Sequence, residues 1–152
     1  MFEFIVVHHS ATTSRLGRED HDGERLWIAI KKYHRNRWKE RFPWYVMDYH
    51  FGIGPTGKVF PGQPLSFPAW HTGDDWYNLR SIGICFIGNF EEELMPKKQF
   101  DAGVKLIFSL MNRYKIPPEN ILRHKDIVRT LCPGRNFPFE KLILSLQGIG
   151  EA

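Results

Sequence analysis

Two near-continuous apolar segments constrain the fold of this chain most strongly. The first, FEFIVVHH, spans residues 2–9, and the second, SIGICFIGNF, spans residues 81–90. The first is apolar at both odd and even positions, which is typical of a strand that buries both of its faces. The second has the same nearly unbroken apolar character. Both therefore predict strands inside a sheet, with helices covering its two sides.

Helical and turn patterns separate these two strands and follow them. Asp22 is a candidate N-cap for the first helix, which carries apolar side chains at helical spacing. Helices are predicted over residues 21–40, 96–115 and 139–147. Further strands are predicted as a pair within 46–62, around a turn at 54–57, and as a short strand within 120–127. Residues 69–80 are predicted to form a polar loop between this strand pair and the strand at 81–90.

This alternation of strands and helices predicts an α/β fold with a central mixed β-sheet flanked by helices. The chain has 152 residues, which is the size of one domain. No internal repeat, low-complexity tract or linker divides it. We therefore expect residues 1–152 to form a single domain.

The charge balance limits the choice of partners. The formal net charge is +4, and the basic residues are dispersed except for one cluster at 31–41. An anionic wall polymer, nucleic acid and a solvated basic face are all compatible with this charge. No aromatic nucleic-acid motif accompanies the cluster, so no nucleic-acid partner is expected. The protein is expected to be a monomer.

The cysteines and the hydropathy limit the compartment. Cys85 and Cys132 lie far apart in the sequence, so the chain has no disulfide framework and fits a reducing compartment. No segment approaches the roughly 18 apolar residues of a membrane span. The first seven residues lack the basic start and the length of a signal peptide. Synthesis in the cytoplasm without a signal peptide is therefore expected.

Three residue positions have the chemistry of a zinc site. The pair His8-His9 ends the first predicted strand, and His124 and Cys132 lie eight residues apart near the other end of the chain. Catalytic zinc sites use three protein ligands and leave a fourth position open. Neighbouring side chains of a strand point to opposite faces, so only one histidine of the pair can take part. The residues alone do not decide which one.

Several motifs occur in one fixed order along almost the whole chain, from about residue 4 to residue 146. They are VVHHSAT, IKKYH, DYHF, WHTG, YNLRSIGICFIGNF and RHKDIVRTLCPG. Together they closely resemble the zinc-dependent N-acetylmuramoyl-L-alanine amidases of type 2. That family includes phage amidase endolysins and peptidoglycan recognition proteins. The resemblance implies hydrolysis of the amide between N-acetylmuramic acid and L-alanine in bacterial peptidoglycan.

The resemblance also implies a ligand set and two catalytic residues. His8, His124 and Cys132 match the zinc ligands, with one Zn²⁺ per chain, and the thiolate argues against Mg²⁺ or Ca²⁺. Tyr49 matches a catalytic tyrosine whose phenol can bond the attacking water or the oxyanion. Thr130 stands where many phage members carry a lysine and many recognition proteins a threonine. Its neutral hydroxyl can donate a hydrogen bond but supplies no charge.

Two further residues match the family's substrate groove. His71 and Asn78 correspond to groove residues that can bond the lactyl or peptide backbone, although both can equally cap a loop. His9 is expected to pack behind the site, His34 to be structural, and Cys85 to be a small core residue.

The implied biological role has alternatives. A phage or prophage endolysin, which reaches the wall after its release, fits the missing signal peptide. A cytoplasmic amidase that recycles muropeptides fits it as well. A non-catalytic peptidoglycan-binding module is a rival from another class, although such modules commonly lack the cysteine ligand. Binding to the host RNA polymerase, as in some phage members, is a further regulatory alternative.

Overall fold

A computed structural model describes residues 1–12 and 22–150 of the chain, with side chains described up to residue 148. The predicted helix start at residue 21 lies outside these residues. The described chain contains one five-stranded sheet. In chain order its strands are β1 (Phe4–His9), β2 (Phe51–Ile53), β3 (Val59–Pro61), β4 (Ser81–Phe86) and β5 (Ile121–Arg123). Their order across the sheet is β3-β2-β4-β1-β5, and only β3 runs antiparallel to its neighbour.

Within the described residues, four α-helices accompany the sheet. They are α1 (Glu24–Trp38), the single turn α2 (Asp75–Asn78), α3 (Lys97–Tyr114) and α4 (Phe139–Gly150). Short 3-10 turns at Pro118–Asn120 and His124–Asp126 flank β5. None of the helices within the described residues has the length and hydropathy needed to cross a membrane.

The two faces of the sheet carry different cores. On one face, Ile82, Ile84 and Phe86 of β4 pack with the apolar sides of α3 and α4 in the larger core. On the other face, Cys85 packs in a smaller core with Trp27 of α1. Because every second side chain of a strand points to the same face, β4 has large residues toward α3 and α4. It has only Ser81, Gly83 and Cys85 toward the α1 side.

The predicted fold class is confirmed by this architecture. The central strands are β1 and β4, and both are buried on both faces as their sequences predicted. The predicted loop at 69–80 contains one helical turn, α2, which Asp74 caps by accepting a hydrogen bond from the Tyr77 backbone N–H at 3.1 Å. The prediction of Asp22 as N-cap is wrong by one residue. Gly23 occupies that position, and Asp22 accepts a hydrogen bond from the Glu24 backbone at 3.0 Å.

Candidate metal centre

Three potential ligands meet where parallel strands end. His8 lies at the carboxyl end of β1, and His124 directly follows β5, which is parallel to β1. Parallel strands bring their carboxyl ends to one edge of the sheet, where ligand sites of α/β folds form. Cys132 arrives from the loop after β5, and its Sγ lies 3.8 Å from Nδ1 of His8. One nitrogen from each histidine and the Cys132 sulfur all lie within 4.8 Å of one another.

Hydrogen bonds on the far side of His8 determine which of its nitrogens is free. The Ser81 hydroxyl donates to the Tyr77 carbonyl at 2.6 Å, so its oxygen can only accept from Nε2 of His71, 3.0 Å away. With its proton on Nε2, His71 offers Nδ1 as an acceptor, and Nε2 of His8 lies 2.8 Å from it. His8 therefore carries its proton on Nε2. Its Nδ1 keeps a free lone pair on the side of Cys132.

The tautomer of His124 is also determined by a hydrogen bond at its Nε2, in this case to a backbone carbonyl. Its Nε2 lies 2.9 Å from the backbone carbonyl of Thr72, which can only accept a hydrogen bond. The proton of His124 is therefore on Nε2 and its lone pair on Nδ1. The side chain of Asn78 holds Thr72 in place, since its Oδ1 accepts from the Thr72 backbone N–H at 2.9 Å and from the Thr72 hydroxyl at 2.7 Å.

The sulfur of Cys132 is set up as an acceptor. The backbone N–H of His9 points to it at 3.4 Å, and the Cys132 backbone N–H is bound by the Thr130 hydroxyl oxygen at 3.2 Å. Burial raises the pKa of the Cys132 thiol to about 12. A nearby cation is therefore needed to hold it as a thiolate near neutral pH.

The donor set fits Zn²⁺. Burial lowers the pKa of His8 well below its ordinary value, and the imidazoles of His71, His124 and His9 lower it further, so His8 is neutral. Burial also lowers the pKa of His124. Two neutral imidazoles and one thiolate are ligands that a borderline-soft ion such as Zn²⁺ prefers. Three protein ligands leave the fourth position of a four-coordinate zinc ion open.

The two adjacent histidines have separate environments. His9 points to the opposite face of β1, where its Nδ1 accepts a hydrogen bond from the Phe90 backbone at 3.1 Å and its ring lies against Phe90. Its backbone N–H contacts the Cys132 sulfur, and the residue also lines the cavity beside the candidate ligands. The structure thus brings His8 into the ligand group and leaves the side chain of His9 outside it.

Tyr49 stands between two open cavities beside the ligands. One cavity, of about 520 Å³, is lined by Tyr49, His124, Thr130 and Cys132 among others. The second, of about 350 Å³, runs from Tyr49 to Tyr33 and other residues of α1. The Tyr49 ring is 5.1 Å from the His8 ring between centroids. Burial raises its pKa well above the ordinary value, so the phenol stays protonated and can donate a hydrogen bond.

The predicted groove residues lie behind the ligands. His71 is 5% exposed and Asn78 is 3% exposed. The ring nitrogens of His71 bond His8 and Ser81, and the side-chain oxygen of Asn78 bonds Thr72. Neither lines the two cavities that meet at Tyr49. Their predicted contact with substrate stays a prediction.

Sequence reasoning missed two supporting residues of β4. Ser81 fixes the protonation of His71, and Gly83 leaves room for its ring, since an added Cβ at Gly83 would lie 2.6 Å from that ring. The signal was present, because Ser81, Gly83 and Cys85 are the small residues of an otherwise large and apolar strand. Small residues at every second position indicate that another side chain packs against that face.

The remaining predicted structural residues occupy supporting positions. His34 accepts a hydrogen bond from the Asp48 backbone at 3.1 Å through Nδ1, directly before Tyr49. Cys85 is fully buried beneath Tyr49 in the α1-side core. Beyond the predicted residues, Trp70 packs in an aromatic cluster, with its ring stacked 4.6 Å from that of Phe42 and tilted against that of Tyr45 at 4.3 Å.

Comparison with known families identifies the chain. The model of the family described as N-acetylmuramoyl-L-alanine amidase matches residues 2–135, which is most of the sequence. The chain belongs to this amidase family. Among relatives of the family, peptidoglycan-recognition protein LB of Drosophila melanogaster is 36% identical over 132 residues, or 86% of this chain. Peptidoglycan recognition protein 1 of Mus musculus is 32% identical over 86% of the chain.

The family's solved structures have the same fold. The N-acetylmuramoyl-L-alanine amidase LysC from Clostridium intestinale URNW is 32% identical, with a TM-score of 0.77 over 96% of this chain and 85% of its own. Drosophila PGRP-LB is 27% identical with a TM-score of 0.67, covering 93% of this chain and 79% of its own. The chain spans 54% of the length of the Drosophila LB relative and 69% of the mouse relative.

Proposed function

We propose that the protein is a zinc-dependent N-acetylmuramoyl-L-alanine amidase that cleaves the amide between N-acetylmuramic acid and L-alanine in bacterial peptidoglycan. The observation that carries this proposal is the group of His8, His124 and Cys132 beside Tyr49, with both imidazoles offering Nδ1. Membership of the amidase family and the likeness to the LysC amidase support the same reaction.

His8, His124 and Cys132 would hold the ion through Nδ1, Nδ1 and Sγ. Zinc bound there supplies a Lewis acid that polarises the scissile carbonyl and lowers the pKa of water. The chain's own contribution is to keep both imidazoles neutral and to direct the His9 backbone N–H at the sulfur.

Tyr49 is the hydrogen-bond donor in this proposal. Tyr49 lines the cavity that His124 and Cys132 border, and its protonated phenol can donate there to the oxyanion of the tetrahedral intermediate. Thr130 lines the same cavity, and its oxygen already accepts from the Cys132 backbone. Its hydroxyl hydrogen is available for a second bond to substrate, while its oxygen helps to hold the ligand loop.

The reaction can be tested on purified peptidoglycan. Amide hydrolysis releases stem peptides with a free L-alanine amine and leaves an intact glycan with a free lactyl carboxylate. Mass analysis of the fragments is expected to show both products with the wild-type protein and neither with Cys132→Ala. Release of fragments by a zinc-free protein would contradict the proposal.

A non-catalytic binding module is the second candidate function, because several relatives carry recognition-protein names. The complete ligand group and the adjacent protonated tyrosine favour the enzyme. A protein that binds muropeptides with zinc in place and releases no product would instead be such a module.

The basic segment 31–41 supports a further part of the proposal, that the protein is held on an anionic wall polymer. This segment carries six of the 21 basic residues and one acidic residue, a formal charge of +5, so the rest of the chain sums to −1. Within the described part of the chain, none of these six lysines and arginines forms an ion pair within 4 Å. Tyr33 and His34 of the same segment line the smaller cavity, so the charge borders the site.

We further propose one catalytic domain over residues 1–152, acting as a monomer, in a phage or prophage endolysin that works on the wall after release. A cytoplasmic amidase that recycles wall fragments is the alternative. Comparing rates on intact walls and on soluble muropeptides separates the two. An endolysin acts efficiently on intact walls, whereas a recycling enzyme prefers the soluble fragments.

A further inference from the structure

The segment from His71 to Ser81 contacts both imidazole ligands on the sides that face away from the ion. His71 bonds Nε2 of His8, and the carbonyl of the next residue, Thr72, bonds Nε2 of His124. Both contacts therefore come from two consecutive residues. We infer that His71 and Thr72, held by Ser81 and Asn78, are positioning residues that fix both imidazoles as Nε2–H tautomers with Nδ1 toward the ion.

Each end of this arrangement has a defined hydrogen-bond direction. The Ser81 hydroxyl has one proton, and the Tyr77 carbonyl takes it at 2.6 Å. His71 must then donate to Ser81 and accept from His8, which leaves His8 with only one tautomer. At the other ligand, the Thr72 carbonyl is an acceptor by its chemistry, so His124 has only one tautomer as well.

The segment is also held sterically. The ring of His71 packs against the backbone of β4 at Gly83, where an added Cβ would approach its atoms to 2.6 Å. Thr72 is fully buried, and its N–H and its hydroxyl both donate to one oxygen of Asn78. Second-layer partners of this kind fix the orientation of a metal-bound histidine, and losing one costs about 10- to 100-fold in metal affinity.

The first test needs no substitution. Long-range ¹H–¹⁵N NMR on the ¹⁵N-histidine-labelled full chain, recorded before and after zinc titration, reports the tautomer of each imidazole. We expect His8 and His124 to carry the proton on Nε2 in both states. A proton on Nδ1 of either residue in the zinc-free protein would overturn the inference.

The second test compares two substitutions at one position. Asparagine places its amide near Nδ1 of the replaced imidazole, whereas glutamine places it near Nε2. His71→Asn can still accept from His8, while His71→Gln keeps a contact with Ser81 and loses the one with His8. We expect zinc affinity, measured by chelator competition, to fall about 10- to 100-fold in His71→Gln and less in His71→Asn.

Ser81→Ala removes the group that sets the tautomer of His71, and we expect an affinity loss of about 10-fold. His50→Gln is the matched control, since His50 is a buried histidine that bonds the Gly83 backbone N–H and the Phe67 carbonyl instead of a ligand. Its affinity should equal that of the wild type. Equal affinities in His71→Gln, Ser81→Ala and the wild type would overturn the inference.

The inference rests on the proposed zinc site but not on the proposed reaction, and the experiments separate the two. A protein that binds zinc with the expected tautomers but releases no wall fragments contradicts only the reaction. An active protein whose affinity is insensitive to His71 and Ser81 contradicts only the positioning role.

Discussion

The floor of the site and its mouth differ in how their polar groups are used. The floor consists of His8 and His124 with their partners His71, Thr72 and Ser81, and each imidazole nitrogen that faces away from the ligand group has one defined hydrogen-bond partner. The mouth consists of Tyr49, the two cavities and the basic segment 31–41, where most of the charged side chains are exposed to solvent. A site that binds a polymer needs both, because fixed ligands set the chemistry and open groups meet the substrate.

The largest expected effect comes from the ligands at the floor. His8→Ala and Cys132→Ala should lose stoichiometric zinc and all detectable amide hydrolysis, because two protein ligands hold Zn²⁺ poorly. His9→Ala should keep about one zinc per chain, since its side chain bonds Phe90 on the opposite face. Metal analysis after dialysis checks all three. Retention of zinc by His8→Ala together with its loss by His9→Ala would reverse the assignment.

The next effect tests the mouth. Tyr49→Phe removes the hydroxyl that we propose donates to the oxyanion, and we expect kcat to fall about 10²- to 10³-fold with little change in KM. Zinc content should not change, because Tyr49 is not among the ligands. Steady-state kinetics on a soluble muropeptide measure the effect. An unchanged kcat would make Tyr49 a packing residue.

A buried histidine next to the floor should make stability depend on pH. Burial lowers the pKa of His50 to about 4 from an ordinary value of 6.5, and the ring of His71 faces it at 6.2 Å. Between these values the unfolded chain binds more protons than the folded one, so the free energy of unfolding falls as the pH decreases. The contribution of His50 is about 3 kcal/mol, fully present above pH 6.5 and lost toward pH 4.

Denaturant unfolding of the zinc-free protein at several pH values measures this contribution. His50→Gln should flatten the decline between pH 6.5 and 4 relative to the wild type. The same slope in both proteins would show that His50 does not titrate in this way.

A smaller effect tests the packing of the floor. Gly83→Ala places a methyl group against the ring of His71, and we expect it to lower the free energy of unfolding by about 1–3 kcal/mol. Gly148→Ala in α4 is the control, because an added Cβ meets nothing within 4 Å there. It should be neutral or stabilising by up to about 1 kcal/mol. Equal stability of the two variants would count against close packing at Gly83.

The smallest effect concerns the charge at the mouth. Lys32→Glu with Lys39→Glu changes two exposed residues in the basic segment, and we expect binding to intact walls to weaken a few-fold, mainly at low salt. Lys98→Glu with Lys105→Glu makes the same charge change on α3. Sedimentation with walls that contain or lack their anionic polymer measures the difference. Equal weakening by both pairs would point to net charge instead of this segment.

The sequence determined the main elements of this protein and pointed to its candidate ligand residues. Unbroken apolar segments made β1 and β4 central strands, because only a sheet covered on both sides buries both faces. The order of the motifs pointed to His8, His124 and Cys132, which the structure brings within 4.8 Å. The alternation of side chains along a strand required that His8 and His9 separate.

Only the tertiary structure decided what lies behind those ligands. The motifs match His71 and Asn78 to the substrate groove, but a motif gives residue types without the direction in which their side chains point. The partners of His71 are 63 residues away in β1 and 10 residues away in β4, and hydrogen bonds over such separations depend on how the strands pair. The tautomers of His8 and His124 follow from those contacts. They are a property of the folded chain, since no local pattern places a serine hydroxyl or a backbone carbonyl beside a given imidazole nitrogen.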